Sequence, residues 1–281
     1  MRRGAARPRP SRWPALLVNA ALVLAAAATL VPLLWMVSVS LMPTGEANVF
    51  PPAFLPSRVT FEHYRALFSR LALGRYLLNS TLIASAVTLV SLLLNAMAGY
   101  AFAKLRFAGR DRLFGLLLAA LVIPTQVALL PLFLLMRWLG LVNTYWGVVV
   151  PAMASVFGIF LVRQFALSLP DELLDAARID GASELRIFRS LILPLCRPVL
   201  LTLAIFTFLA TWNDFTWPLV VLSDGSMYTL PIALSNLSGE HFRDTELMMA
   251  GAVLTITPVL LLFIALQRYY IEGILLGSVK E

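Results

Sequence analysis

Six long apolar runs, separated by polar segments, constrain this chain more than any other feature. They cover approximately residues 15–41, 77–103, 113–136, 144–167, 190–222 and 246–271. Each run is long enough to cross a bilayer, because a spanning α-helix needs about 20 mostly apolar residues. Only 13% of the 281 residues are charged, about half the share of an ordinary soluble domain. The sequence therefore predicts an all-α integral membrane protein with six transmembrane helices.

The first apolar run decides where the membrane domain begins. It is longer than the core of a cleaved secretory signal, which has roughly 7–15 residues. We therefore expect it to be retained, although Ala25–Ala28 offers small residues at which a signal could be cleaved. Residues 1–14 are rich in Arg, Pro and Ala, which suits a cytoplasmic basic lead in contact with anionic membrane lipid. One membrane domain is predicted over residues 15–281.

The distribution of Lys and Arg orients the spans, because cytoplasmic flanks accumulate these residues. With the N-terminus inside, 16 of the 22 basic residues lie in cytoplasmic segments and six lie outside. Both termini, and the charged stretch at residues 168–190, are then cytoplasmic. This topology accounts for much of the net charge of +7. No basic patch interleaved with aromatic residues indicates nucleic-acid binding.

The 168–190 segment is predicted to form two short helices joined by a glycine. Ser168 and Pro170 suit the start of a helix, and Gly181 suits its end because glycine accepts a left-handed backbone. The first helix should run from about Pro170 to Asp180, and the second should start at Ser183. The residues expected to share one face of the second helix, which leads into the next apolar run, are Leu185, Phe188 and Ile192.

The sequence lacks the motifs by which many enzymes and metal sites are recognised. Cys196 is the only cysteine, so an internal disulfide is excluded and packing as a small apolar residue is expected. His63 and His241 lie in external segments without Cys or His at metal-ligand spacing, and we expect both at the surface. No Walker-type loop, nucleophile elbow or His-Glu-x-x-His motif occurs. We predict no catalytic residue, no metal and no cofactor.

Eight residues in and after the 168–190 segment resemble the cytoplasmic coupling loop of bacterial ABC import permeases. They are Asp175, Ala176, Ala177, Asp180, Gly181, Ala182, Phe188 and Pro194. The resemblance implies that a cytoplasmic coupling helix docks on a separate ATP-hydrolysing subunit. The family usually has Glu where this chain has Asp175, which keeps the charge and shortens the side chain by one methylene.

Other segments resemble one branch of that family, the smaller permease subunit of carbohydrate ABC importers of the maltose-transporter type. They are Ile123–Gln126, Leu130–Phe133, Gly140–Gly147, Trp212–Phe215 and Gly273–Lys280. The resemblance implies an ABC importer permease fold in the bacterial inner membrane and uptake of a sugar or oligosaccharide. It also implies the partners: a second permease that completes a heterodimer, two ATP-binding subunits and an extracytoplasmic solute-binding protein.

Polar and aromatic side chains in the apolar runs are candidates for the substrate pathway. A polar side chain is costly in hydrocarbon and normally faces a partner or a water-filled cavity. The candidates are Trp212, Asn213, Asp214 and Gln126, since amides and carboxylates can bond sugar hydroxyls and an indole can stack on a sugar face. Alternatively, Asn213 and Asp214 cap or kink the fifth helix, and the tryptophans belong to the aromatic belt at the membrane surface.

Two other functions stay open on the sequence alone. A permease for a polyamine, an amino acid or another solute would share the 168–190 segment. An intramembrane enzyme or a scaffold is the more distant alternative. An enzyme would need Ser, His, acidic or metal-binding side chains that converge within the spans, and the apolar runs contain no histidine.

Overall fold

The computed structural model describes residues 12–51, 53–69, 71–240 and 244–276, and within these ranges the chain is helical without a β-strand. The helices are α1 (Arg12–Val39), α2 (Glu62–Ser69), α3 (Leu73–Lys104), α4 (Arg110–Ala120), α5 (Thr125–Trp138), α6 (Tyr145–Ala152), α7 (Val156–Leu167), α8 (Asp171–Ile179), α9 (Glu184–Ile187), α10 (Leu193–Leu195), α11 (Arg197–Trp212), α12 (Thr216–Val221), α13 (Leu230–Glu240) and α14 (Thr245–Leu276). Two 3₁₀ turns lie at Glu46–Asn48 and Gly225–Met227, and a π-helical turn at Phe188–Ile192 joins α9 to α10.

Three long helices and three bent pairs of helices account for the six apolar runs within the described residues. Helices α1, α3 and α14 are each long and apolar enough to cross a bilayer. The other candidate spans are pairs with a short break, bent by 106° between α4 and α5, by 40° between α6 and α7, and by 77° between the α9–α10 stretch and α11. Apolar runs alone do not predict these breaks, because average hydropathy is insensitive to the direction of the backbone.

The described residues divide into two compact units, one within residues 1–67 and 241–253 and the other within residues 68–240 and 254–281. In the first unit, polar contacts order the segment that follows α1. The backbone N–H of Ser57 donates to one oxygen of Glu46 (2.8 Å) and its hydroxyl donates to the other (3.0 Å). Glu246, at the start of α14, accepts from the backbone N–H of Ala47 (2.8 Å).

The expectation that His63 lies at the surface was wrong. Only 3% of this residue is exposed, and its Nε2 atom lies 2.9 Å from the carbonyl oxygen of Met42. Helix α2 turns His63 toward the interior of the first unit, where that carbonyl gives the imidazole a polar partner. His241 lies outside the described residues.

Helix α3 is the central element of the second unit, where it packs against α7 and α11. Gly99 allows a very close approach to α7, because a Cβ atom at this position would lie 2.7 Å from the Cβ of Val162. Asn95 joins the same two helices, since its side-chain oxygen accepts from the backbone N–H of Ser155 (3.0 Å) at the start of α7. A rigid contact between α3 and α7 follows.

Two buried apolar clusters surround the two halves of α3. The cluster at its first half comprises Ile83, Val87, Met136, Val148, Val149, Trp217, Val221 and Leu222. The cluster at its second half comprises Ala96, Tyr100, Leu174, Ile187, Phe188, Ile192, Cys196 and Val199. Cys196 is fully buried there, as expected for a small apolar residue. The second cluster holds the 168–190 segment against the end of α3.

Candidate functional site

The 168–190 segment forms two helices joined at Gly181, as predicted. Gly181 has a φ of +79°, a left-handed backbone that glycine adopts without steric cost. Its N–H donates to the Arg178 carbonyl (3.0 Å), and the N–H of Ala182 donates to the Ala177 carbonyl (2.9 Å). These two bonds are those of a Schellman motif, which satisfies the last carbonyls of α8.

Of the two predicted helix starts, the one at Ser183 is confirmed and the one at Ser168 is not. Ser183 caps α9, and its hydroxyl accepts from the backbone N–H of Arg186 (3.4 Å). Ser168 does not cap α8, because it ends α7 and its hydroxyl donates to the Phe165 carbonyl (2.7 Å). Pro170 occupies the capping position of α8 and makes no side-chain hydrogen bond there.

One side of the 168–190 segment is buried, and its composition differs from the prediction at one residue. Phe188 and Ile192 are buried together, whereas Leu185, which was expected on the same face, is 62% exposed and Ile187 is buried instead. Two residues along an α-helix turn the side chain by about 200°, so Ile187 and Leu185 point to opposite sides. The ring of Phe188 lies 5.8 Å from that of Tyr100 in α3.

The residues expected to dock on an ATPase divide by exposure. Those that are exposed are Asp175, Ala176, Asp180, Gly181 and Pro194. Ala177 and Ala182 are half-buried and pack against the second cluster, and Phe188 is buried within it. The first group therefore offers a surface to a partner, whereas the second group fixes that surface to the rest of the molecule.

Arg178 connects the two helices of the 168–190 segment. Its Nη1 atom lies 2.9 Å from Asp175 within α8, and its Nε atom lies 2.8 Å from Glu184 in α9. These contacts, led by the hydrogen bond to Glu184, raise the pKa of Arg178 above its ordinary value. Asp175 therefore has a partner within the chain, while its carboxylate is also accessible to a second cation.

Two side chains of α3 reach the 168–190 segment. The Lys104 ammonium donates to the Leu169 carbonyl (2.6 Å) and to the Asp171 carboxylate, and this hydrogen bond and charge hold the pKa of Asp171 below its usual value. The Tyr100 hydroxyl donates to Glu184 (2.6 Å). Sequence reasoning missed Tyr100 and Lys104, because no local pattern relates them to partners 84 and 67 residues away.

A polar recess of about 930 Å³ lies beside these contacts. Its charged lining comprises Lys104, Arg106, Arg110, Asp171, Asp175, Arg178 and Glu184. Five of these seven side chains are paired with one another: Lys104 with Asp171, and Arg178 with both Asp175 and Glu184. The recess therefore lies where polar contacts join α3 to the 168–190 segment.

A second, amphipathic cavity of about 440 Å³ lies among α5, α6, α11 and α12. Two of the four predicted pathway residues line it, Gln126 from α5 and Asp214 from the α11–α12 break. The other lining residues, which the sequence analysis did not select, are Thr125, Ala128, Leu129, Leu132, Val148, Pro151, Ala152, Thr211, Thr216 and Trp217. Thr211 and Thr216 could have been selected from the sequence, because they lie beside the polar pair Asn213–Asp214 inside an apolar run.

The other two predicted pathway residues do not line this cavity. Trp212 is buried, and its indole N–H donates to the Thr255 carbonyl of α14 (3.2 Å). Asn213 ends α11, and its side-chain amide donates to the Leu209 carbonyl of the same helix (2.9 Å), which matches the capping interpretation. Asp214 accepts from the backbone N–H of Trp217 (3.3 Å), so it caps α12 while it lines the cavity.

The model of the family described as "Binding-protein-dependent transport system inner membrane component" matches residues 95–274. The chain belongs to this family. The match contains the 168–190 segment, the amphipathic cavity and most of the second unit. Membership makes this permease a transport component of the inner membrane rather than an enzyme.

Relatives and a solved structure agree with this membership. This permease is 43% identical over 252 residues to the arabinooligosaccharides transport system permease protein AraQ of Halalkalibacterium halodurans, covering 89% of this chain and 90% of the relative. It is 33% identical to the lactose transport system permease protein LacG of Rhizobium radiobacter, and the match covers 96% of this chain and 97% of the relative. A chain in the crystal structure of a bacterial ABC transporter involved in alginate import has the same fold, with a TM-score of 0.82, 24% identity and coverage of 95% and 100%.

Proposed function

We propose that this permease carries a sugar or oligosaccharide across the bacterial inner membrane and forms one half of the translocation pathway. The amphipathic cavity is the observation that carries this proposal. Sugars present hydroxyl groups and apolar ring faces, and the cavity offers both kinds of partner: Gln126, Thr211 and Asp214 as polar groups, and Trp217 as an aromatic one. The names of the relatives AraQ and LacG support the same substrate class.

Energy for transport comes, in this proposal, from two ATP-binding subunits, one of which docks on α8. The exposed side of α8 and the Gly181 turn would enter a groove of the ATPase. A second permease subunit completes the pathway as a heterodimer, and an extracytoplasmic solute-binding protein delivers the sugar. The excess of basic residues around the 168–190 segment supports a cytoplasmic position for α8 and for both termini.

A cationic solute is the second candidate substrate, and Asp214 is the observation that favours it. A carboxylate in a partly apolar cavity attracts an ammonium group more strongly than a neutral hydroxyl. However, one oxygen of Asp214 already accepts from the Trp217 N–H, and the remaining polar lining is uncharged. The balance of three threonines, a glutamine and a tryptophan favours the sugar.

Uptake by reconstituted proteoliposomes tests the substrate class. The complex of this permease, its second permease and the ATPase is supplied with the solute-binding protein, and uptake of labelled arabinotriose is compared with uptake of spermidine. Removal of one neutral hydrogen bond by Gln126→Ala or Thr211→Val should lower the apparent affinity for the sugar about fivefold, since such a bond contributes about 1 kcal/mol. Asp214→Asn keeps an acceptor and should change sugar uptake by less than about tenfold.

Thr81→Val is the matched control for Thr211→Val. Thr81 is exposed on α3, and its hydroxyl donates only to the Leu77 carbonyl of the same helix (2.7 Å). The control should transport like the parent. The opposite result would be that the parent imports spermidine and not arabinotriose, with spermidine uptake abolished by Asp214→Asn. That result would show that the substrate is cationic and is not a sugar.

A further inference from the structure

Two polar links join the ends of the α8 region to α3, and neither belongs to the docking surface itself. We propose that Tyr100 and Lys104 are positioning residues that transmit the movement of α8 to α3 when the ATPase closes. The inference rests on the proposed function, because it takes α8 as the point at which the ATPase acts. It adds the route by which that action reaches the membrane domain.

The first link holds the N-terminal end of α8. Lys104 is the last residue of α3, and its side chain is only 5% exposed. Its ammonium bonds both the Leu169 carbonyl and the carboxylate of Asp171, the first residue of α8. A buried ammonium with two oxygen partners is costly to pull away, because its charge would lose partners in a partly desolvated site.

The second link holds the C-terminal end of α8. The Tyr100 hydroxyl donates to one oxygen of Glu184, and the Nε atom of Arg178 donates to the other. Arg178 also bonds Asp175 on the exposed side of α8. A continuous set of hydrogen bonds therefore runs from the predicted docking residue Asp175 through Arg178 and Glu184 to Tyr100.

The covalent route from α8 into the membrane domain is much less direct. It passes the left-handed turn at Gly181, the π-helical turn at Phe188–Ile192 and the 77° bend before α11. Each of these is a place where a helix axis can change direction. A push on α8 that followed the chain alone would be absorbed at these three places.

Helix α3, in contrast, is uninterrupted over 32 residues. It is also bonded at its far end, where the side chain of Asn79 donates to the carbonyls of Ser226 (3.1 Å) and Tyr228 (2.9 Å) and accepts from the Tyr145 hydroxyl (2.8 Å). The distance from Asn79 to Lys104 along the helix is about 37 Å at about 1.5 Å per residue. A displacement of one end of α3 is thus transmitted to the other end.

The test removes each link and measures transport per ATP hydrolysed. Tyr100→Phe deletes one hydroxyl, and Lys104→Met deletes the ammonium and keeps most of the chain length. In proteoliposomes, the number of arabinotriose molecules imported per ATP should fall about tenfold in each variant, the factor expected for one hydrogen bond to a charged group. Recovery of the ATPase with the permease should stay at the level of the parent, because the docking side of α8 is unchanged.

The controls separate positioning from general destabilisation. Tyr64→Phe removes a hydroxyl that pairs with Ser40 (2.8 Å), and Arg112→Met removes an exposed cation of α4; both should keep the parental ratio. Lys104→Arg should restore most of the ratio that Lys104→Met loses. A purely structural role would lower yield, ATP hydrolysis and transport together and leave the ratio unchanged.

A second measurement needs no substrate. A cysteine introduced at Gln126 reports the accessibility of the amphipathic cavity through its rate of alkylation before and after ATP is trapped with vanadate. The parent should show a change in rate, and Tyr100→Phe, Lys104→Met and the nearly isosteric Glu184→Gln should lose it while the trapped ATPase stays bound. A parental change in all three variants, or a parental transport ratio, overturns the inference. Failure of the parent itself to recover the ATPase would instead overturn the proposed function.

Discussion

Gly181→Val is the sharpest perturbation of the proposed docking turn, because its cost comes from the backbone alone. Gly181 has a φ of +79°, and a Cβ atom built on it would meet nothing within 4 Å. A side chain at this position therefore meets no steric obstacle, but the left-handed backbone costs about 1–2 kcal/mol, and more for a β-branched residue. Opening the turn instead would lose the bonds to the Arg178 and Ala177 carbonyls, at about 1 kcal/mol each.

Whether the valine keeps the strained left-handed backbone or the turn opens, the cost is about 1–3 kcal/mol. This cost is small beside the free energy of unfolding of an ordinary domain, about 5–15 kcal/mol. The variant should therefore reach the membrane in normal amounts, with α8 displaced relative to α9. We expect ATP-driven uptake to be lost and the ATPase to be recovered less efficiently with the purified permease. The measurements are membrane yield, uptake, and the molar ratio of ATPase to permease after affinity purification.

Gly140→Val is a matched control. Gly140 follows α5 with a φ of +70° and also has nothing within 4 Å of its Cβ position. Its N–H donates to the Arg137 carbonyl and the next N–H donates to the Met136 carbonyl, the same pair of bonds as at Gly181. The two variants should lose similar stability, and only Gly181→Val should lose the ATPase. Equal recovery of the ATPase with both variants would refute the docking role of the Gly181 turn.

Two further predictions concern the docking residue and the topology. We expect the exposed Asp175 to pair with a basic residue of the ATPase groove, so Asp175→Lys should place a cation against that residue as well as beside Arg178, and should lose both ATPase binding and uptake. Asp175→Glu should keep both. Full transport by Asp175→Lys would exclude the charge contact. The topology is tested by cysteine labelling. A cysteine at Ile179, which is 86% exposed, should react only with reagents that enter the cytoplasm. A cysteine at Phe50, which is 93% exposed, should react with impermeant reagents added outside. External labelling at Ile179 would reverse the proposed orientation, and buried Cys196 adds little background to either measurement.

Much of the fold followed from local signals in the sequence. Apolar runs of sufficient length located the spans, and Gly181 and Ser183 located the turn and the second helix because a left-handed backbone and an N-cap each have strong residue preferences. Two breaks had signals that were available as well. Residues before Pro124 are disfavoured in a helix, and the apolar run at residues 190–222 is longer than one span requires.

Other features depend on contacts between distant residues and leave no local signal. His63 can be buried because its ring lies within hydrogen-bonding distance of the Met42 carbonyl. The neighbours of His63 in the sequence do not indicate this contact. The bond from Tyr100 to Glu184 joins residues in different helices. The amphipathic cavity likewise exists only because the α4–α5 and α11–α12 breaks bring Gln126 and Asp214 to one surface.

The bend between α4 and α5 has a consequence for the surroundings of this permease. It falls at residues 121–124, near the middle of an apolar run. The last carbonyls of α4 accept from the backbone N–H groups of residues 121–123. The first N–H groups of α5, however, lack partners within their own helix, and hydrocarbon cannot supply them. The side chains there, from Leu121 to Ile123, are nevertheless exposed in the single chain. This edge of the permease therefore cannot face lipid, and a neighbouring protein or water must cover it.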